Sequence, residues 1–66
     1  MRGMIEEVYF HFVDNFGYVP SVNDIRKYIA IGRGYKTTNT SVEKLAHKYG
    51  LELSATDHYM VKYLNN

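Results

Sequence analysis

Basic side chains that could neutralise phosphate groups are concentrated in the middle of the chain. Residues 26–48 hold six of the eight Lys and Arg residues against one acidic residue, Glu43. The first 25 residues hold one basic and four acidic residues, and the formal net charge of the chain is only +1. Such a cluster is either a solvated face or a contact surface for a polyanion, and its chemistry suits a nucleic acid backbone.

Patterns that support catalysis or metal binding do not occur in the sequence. The three histidines, His11, His47 and His58, lack the spacing of a zinc site. Residues 32–37 place glycines near a lysine, but they lack the adjacent Gly-Lys pair of a phosphate-binding loop. Carboxylates are scattered, and no serine has the context of an activated nucleophile. We therefore expect no enzymatic activity, no metal, no cofactor and no small-molecule substrate.

The length and composition indicate one small domain over residues 1–66. A core of this size leaves little net stability, so association with a second copy is favoured. The chain has no cysteine, which excludes disulfides and is ordinary for a cytosolic protein. Glu6, Glu7 and His11 interrupt the apolar residues near the N-terminus, so neither a signal peptide nor a membrane span is predicted. We expect a soluble cytoplasmic protein that does not bind membranes.

An apolar stripe predicts a first helix over about residues 2–15, ended by Gly17. The stripe comprises Ile5, Val8, Tyr9, Phe12, Val13 and Phe16. Phe10 lies off this stripe. We expect it to pack against a later element, and the alternative is an exposed contact for a second copy.

The next segment has the pattern of a capped helix start. Pro20 is tolerated just before a helix but not inside one. The Ser21 hydroxyl can accept from the backbone N–H of Asp24, whose carboxylate can reach back to the N–H of Ser21. Apolar residues then recur at helical spacing: Val22, Ile25, Tyr28 and Ile29. We predict a second helix from Ser21 to about residue 30 or 31.

A turn and a third helix follow. Gly32 and Gly34 can adopt positive φ, which lets the chain reverse. The third helix begins within residues 36–41, where several side chains could cap it, and ends at Gly50. Its apolar residues are Val42, Leu45, Ala46 and Tyr49.

After Gly50 the pattern changes from helical to alternating. Residues 51–54 alternate between apolar and polar, residues 55–57 can turn, and residues 58–64 are rich in strand formers. We predict a two-stranded hairpin, and the competing interpretation is a fourth helix over residues 55–64. The predicted fold is α+β, mainly α: three helices with a C-terminal β-hairpin, which is the layout of a winged helix-turn-helix domain.

Residues 17–29 resemble part of the N-terminal DNA-binding domain of LexA-type repressors. In that family a glycine precedes a Pro-Ser or Pro-Thr pair, an acidic residue followed by Ile, and a further aliphatic residue one turn on. These positions hold Gly17, Pro20-Ser21, Asp24-Ile25 and Ile29. The chain departs from the family in its longer turn, residues 30–35, and in a third helix that ends about one turn early.

The resemblance implies that the third helix lies in the major groove of double-stranded DNA while the start of the second helix faces a phosphate. The residues implied to contact base edges are Thr38, Asn39, Thr40 and Ser41. For each of them, capping the helix is the alternative role. The residues implied to contact phosphates are Ser21, Arg33, Lys36, Lys44, Lys48 and Lys62.

Two functions follow from these patterns. The first is a small DNA-binding transcription regulator, repressor-like and homodimeric, of a kind that suits a phage or mobile element. The second is a winged-helix module that binds and modulates a partner protein, which the modest net charge and seven tyrosines favour. The first predicts that the basic residues 33, 36, 44 and 48 share one face with Thr40. The second predicts an exposed aromatic patch that includes Phe10, Tyr59 or Tyr63.

Overall fold

The computed structural model describes residues 2–58 of the chain. Within this range the chain folds into a bundle of three α-helices. Helix α1 spans Arg2–His11 and continues into a π-helical segment, Phe12–Phe16. Helix α2 spans Val22–Gly32, and helix α3 spans Asn39–Lys48. Each α-helix packs against the other two. Within the described residues, the helices are too short or too polar to cross a membrane.

The core is built from one apolar row on each helix. Its fully buried members are Ile5, Val8, Phe12, Ile25, Ile29 and Val42. All of them belong to the predicted apolar stripes, because residues three and four apart meet on one side of a helix. Burying each such side chain stabilises the fold by about 1.5–3 kcal/mol, so these rows supply most of the driving force.

The first helix ends in a wider turn than predicted. After His11 the chain enters the π-helical segment, which ends where the Gly17 N–H donates to the carbonyl oxygen of Phe12 at 3.1 Å. Gly17 has a φ of 76°, which confirms it as the helix end. Phe16, expected in the core, is the last residue before the Gly17 turn, meets the rings of Phe12 and Tyr18, and is 36% exposed at the edge of the core.

The capping box at the start of α2 is confirmed. The Ser21 hydroxyl accepts from the Asp24 N–H at 3.0 Å, and the Asp24 carboxylate accepts from the Ser21 N–H at 2.9 Å. Ser21 is the extended N-cap residue, so the helix proper begins at Val22 and runs to Gly32.

The turn between α2 and α3 uses one glycine of the predicted two. Gly34 has a φ of 66°, whereas Gly32 stays helical as the last residue of α2. Thr38 then caps α3, because its hydroxyl accepts from the Ser41 N–H at 3.1 Å. The third helix therefore starts within the predicted range.

The end of α3 is a Schellman motif. Gly50, with a φ of 70°, donates its N–H to the carbonyl oxygen of His47 at 3.1 Å. The Leu51 N–H donates to the carbonyl oxygen of Ala46 at 2.8 Å. These two bonds satisfy the last carbonyls of the helix and turn the chain sharply, so Gly50 ends α3 as predicted.

The predicted β-hairpin is wrong. No strand occurs within residues 2–58, and residues 51–54 are neither helix nor strand. Their backbone is held by the bond from the Ser54 N–H to the carbonyl oxygen of Pro20 at 2.9 Å and by the bond from the Tyr9 hydroxyl to the carbonyl oxygen of Glu52 at 3.0 Å. The alternation arises because Leu51 and Leu53 pack on the helical core, not because a partner strand lies beside them. The fold is a mainly helical bundle rather than a winged helix.

The competing prediction, a fourth helix over residues 55–64, can be compared with the structure only for residues 55–58. Residues 55–58 are not helical. The remainder of that helix, the second predicted strand and the predicted phosphate contact Lys62 lie outside the described residues.

Candidate functional site

The solvent side of α3 is polar and mostly basic. Val42 and Ala46 point into the protein, which leaves the opposite side of the helix exposed. We define the α3 outer face as Thr40, Ser41, Lys44, His47 and Lys48, all of which are exposed. Positions 40, 44 and 48 are successive i, i+4 neighbours and form one row along the helix. Glu43, at the edge of this face, is the acidic residue of α3.

The two lysines of the α3 outer face, Lys44 and Lys48, are not neutralised by a neighbouring carboxylate among the described residues. Within residues 2–58, neither Lys44 nor Lys48 forms an ion pair with a carboxylate. The Lys48 ammonium lies 6.0 Å from the centroid of the Tyr49 ring. Positive charge in the last turn also suits the negative end of the helix dipole. The face therefore presents unpaired cations without a cost to the helix.

Two of the predicted phosphate contacts, Arg33 and Lys36, lie between α2 and α3, and their surroundings differ. Lys36 is exposed in the loop. Arg33 caps α2 and donates to the Glu7 carboxylate of α1 at 2.6 Å, with side-chain exposures of 38% and 61%. An exposed pair of this kind contributes at most about 1 kcal/mol. Arg33 is thus directed toward α1 rather than toward α3.

Asn39, predicted to contact bases, is held by α2. Its Oδ1 accepts from Nε of Arg26 at 2.5 Å, and its Nδ2 donates to Oδ1 of Asn23 at 3.0 Å. Both bonds join the first turn of α3 to α2. Asn39 therefore fixes the position of α3, a role that depends on how the two helices pack.

Of the other predicted base-contacting residues, Thr38 and Ser41 take part in capping α3, and Thr40 is exposed. Thr38 caps α3 and its hydroxyl donates to the Ser41 hydroxyl at 3.1 Å, which is the alternative role stated for it. Thr40 is exposed and has no hydrogen-bond partner among the described residues. Of the predicted base-contacting residues, Thr40 is the one whose side chain is both exposed and unengaged within the described chain.

Ser21, implied to face a phosphate, is buried and fully engaged. It is 4% exposed, and its hydroxyl donates to Oδ1 of Asp57 at 2.5 Å while accepting from the Asp24 N–H. Asn23 donates to Oδ2 of the same Asp57 carboxylate at 3.2 Å. A carboxylate of the chain itself thus occupies the N-terminal end of α2, where an anion would otherwise bind.

The carboxylate of Asp24 anchors the end of the described chain. Asp24 is fully buried and accepts from the backbone N–H of His58 at 3.0 Å. The His58 ring stacks on Tyr18, with centroids 4.4 Å apart and planes at 26°. These contacts attach residues 54–58 to the start of α2, so this polar cluster has a structural role.

One residue of the α3 outer face was missed by the sequence analysis. His47 was considered as a zinc ligand and dismissed on its spacing. It lies seven residues after Thr40, and helical periodicity places it on the same face. The same periodicity, applied to the polar side of the helix, would have found it.

No protein-family model, curated protein sequence or solved structure matches this chain. The resemblance to LexA-type repressors therefore depends on residues 17–29 alone and stays a prediction.

Proposed function

We propose that the protein binds double-stranded DNA through the α3 outer face and acts as a small transcription regulator. The observation that carries the proposal is the row formed by Thr40, Lys44 and Lys48, in which a free hydroxyl is followed by two unpaired cations. Hydroxyl groups can bond base edges, and lysines neutralise phosphates. A helix of ten residues is about 15 Å long and enters a major groove about 12 Å wide.

The attachment of α3 to α2 supports this function. The bonds of Asn39 to Arg26 and Asn23 hold the first turn of α3 in place. A recognition surface that is ordered before binding avoids part of the entropy cost of association. Lys36 adds a cation in the loop that leads into α3. Ser21 and Arg33 are not part of the proposed surface, because their polar groups are bonded elsewhere.

The proposal is tested by binding to a mixed-sequence DNA duplex during a salt titration, followed by fluorescence anisotropy. Three exposed lysines, Lys36, Lys44 and Lys48, predict a log–log slope equivalent to about three released counterions. A slope of that size supports the proposal and justifies selection of a specific site. Failure to bind duplex DNA at low salt would rule it out.

A protein-binding function is the second candidate, and exposed apolar side chains favour it. Phe10 is 49% exposed, Ile31 51% and Tyr35 44%. Large exposed apolar residues often mark interfaces. The other predicted members of an aromatic patch, Tyr59 and Tyr63, lie outside the described residues. Loss of binding on substitution of Phe10, with the lysine variants unaffected, would favour this function over DNA binding.

A further inference from the structure

Arg26, on α2, is a basic residue that the sequence analysis did not assign to the DNA-binding surface. Its Nε donates to Oδ1 of Asn39 at 2.5 Å, so the guanidinium group lies beside the first turn of α3. Asn39 directly precedes Thr40, which is the first residue of the α3 outer face. Arg26 is therefore attached next to one end of the proposed binding surface, although it belongs to another helix.

Arg26 and Arg33, the arginines of α2 and its C-cap, bond to different kinds of acceptor. Arg33 donates to the Glu7 carboxylate at 2.6 Å, and this anion offsets its charge. Arg26 donates to an amide oxygen, which carries no net charge. Among the described residues, no carboxylate pairs with Arg26 and no acceptor bonds its Nη1 or Nη2 atoms. A guanidinium group has several N–H donors besides Nε, so Arg26 is held in place while its Nη donors and its charge remain available.

A chain of hydrogen bonds determines which end of the Asn39 amide faces Arg26. The Asp57 carboxylate accepts from Nδ2 of Asn23 at 3.2 Å, and Oδ1 of Asn23 accepts from Nδ2 of Asn39 at 3.0 Å. An ionised carboxylate can only accept, so Asn23 directs its NH2 group to Asp57 and its oxygen to Asn39. Asn39 then donates to Asn23, which leaves its own oxygen for Arg26. The charge of Asp57 thereby sets the direction of each bond as far as the guanidinium group.

We propose that Arg26 contacts a phosphate of the DNA duplex and that this chain of side chains positions its guanidinium group for the contact. A guanidinium group binds a phosphate through two parallel N–H groups, which the two Nη atoms can supply while Nε stays bonded to Asn39. Because the group is ordered before binding, less entropy is lost when it engages the phosphate. The inference rests on the proposed function of the α3 outer face and adds one cation to the three lysines counted there.

The test measures the salt dependence of binding to the mixed-sequence duplex for two matched arginine variants. Arg26→Gln should lower the log–log slope by about 1, since one phosphate contact is lost. Arg33→Gln, the same change at the end of the same helix, should leave the slope unchanged because that side chain is bonded to Glu7. Arg26→Lys keeps the charge and should keep the slope. Its affinity should lie between those of the wild type and Arg26→Gln, because an ammonium group lacks the planar fork.

The positioning role is tested at Asp57, where two variants change the net charge equally. Asp57→Asn keeps an oxygen that can accept from Asn23, whereas Asp57→Ala removes it. Loss of the acidic charge alone would raise DNA affinity in both variants. Asp57→Ala should nevertheless bind DNA more weakly than Asp57→Asn, with the same slope, because Arg26 is then less well oriented. In the Arg26→Gln background the two variants should bind equally, since the side chain that the hydrogen bonds position is absent.

The outcomes separate this inference from the proposed function. Wild-type protein that does not bind duplex DNA would overturn both. Wild-type binding with equal slopes for Arg26→Gln and Arg33→Gln would overturn the inference alone. Equal affinities for the two Asp57 variants, each shown by circular dichroism to be folded, would overturn the positioning role. The pair of arginine variants decides whether Arg26 is a phosphate contact even if Asp57→Ala does not fold.

Discussion

The N-terminal end of α2 and the α3 outer face both carry polar side chains, but those at α2 are hydrogen-bonded within the chain and those on α3 are exposed. At α2, Ser21, Asn23 and Asp24 are bonded to residues 57 and 58 of the same chain. On α3, Thr40, Lys44 and Lys48 face solvent. Polar groups bonded within the chain contribute to stability, whereas exposed and unpaired groups remain available to a ligand. Both regions were predicted to meet DNA, and their difference identifies α3 as the stronger candidate.

The largest effect is expected from Asp24→Ala. The substitution leaves the backbone N–H groups of Ser21 and His58 without their acceptor in a buried site. We expect a loss of about 2–3 kcal/mol in the free energy of unfolding, measured by urea denaturation with circular dichroism. Asp24→Asn is the control, because an amide oxygen can accept both bonds, and it should lose much less. Equal losses for the two variants would show that the carboxylate charge, not the acceptor, stabilises this region.

The double variant Lys44→Gln, Lys48→Gln tests the other region. Removing two phosphate contacts should lower the log–log salt slope for duplex DNA by about 2 and reduce the affinity at least about tenfold at low salt. The free energy of unfolding should change by less than about 0.5 kcal/mol per substitution. Lys27→Gln, on α2, is the matched control and should leave the slope unchanged. An unaltered slope for the double variant would remove α3 from the interface.

Asn39→Ala tests whether the hydrogen bonds that attach α3 to α2 matter for DNA binding. It removes the bonds to Arg26 and Asn23, so we expect the free energy of unfolding to fall by about 1 kcal/mol. DNA affinity should fall with it, because α3 is then less firmly held, but the salt slope should stay the same. A changed preference for one base pair, measured by selection from random duplexes, would instead make Asn39 a direct contact.

The smallest effect is expected from Thr40→Ala. Thr40 is exposed, and no bond to it occurs within residues 2–58, so the free energy of unfolding should change by less than about 0.5 kcal/mol. Loss of one hydroxyl contact to a base should reduce discrimination at one position by about 1 kcal/mol, with little change in affinity for random DNA. Competition between duplexes that differ at a single base pair measures this. Unchanged discrimination would limit Thr40 to a solvent-exposed role.

The errors of the sequence analysis have a common physical origin. Alternating Leu51 and Leu53 were interpreted as part of a β-hairpin, but they pack on the helical core, and a strand requires a partner that only the fold can supply. Phe16 was placed in the core because it continues the apolar stripe, but it is the last residue before the Gly17 turn and lies partly exposed at the edge of the core. Phe10 was expected to find an intramolecular partner, although its helical position already placed it opposite the stripe.

The amino-acid sequence by itself determined the capped start of α2, the end of α3 at Gly50 and most of the residues that form the core. The capping box of Ser21 and Asp24 and the turn at Gly50 involve residues only a few positions apart, so local chemistry is sufficient. The tertiary structure alone decided which polar groups remain free. Ser21 meets a carboxylate 36 residues away, and Asn39 meets α2, because the packing of the helices brings distant donors and acceptors together.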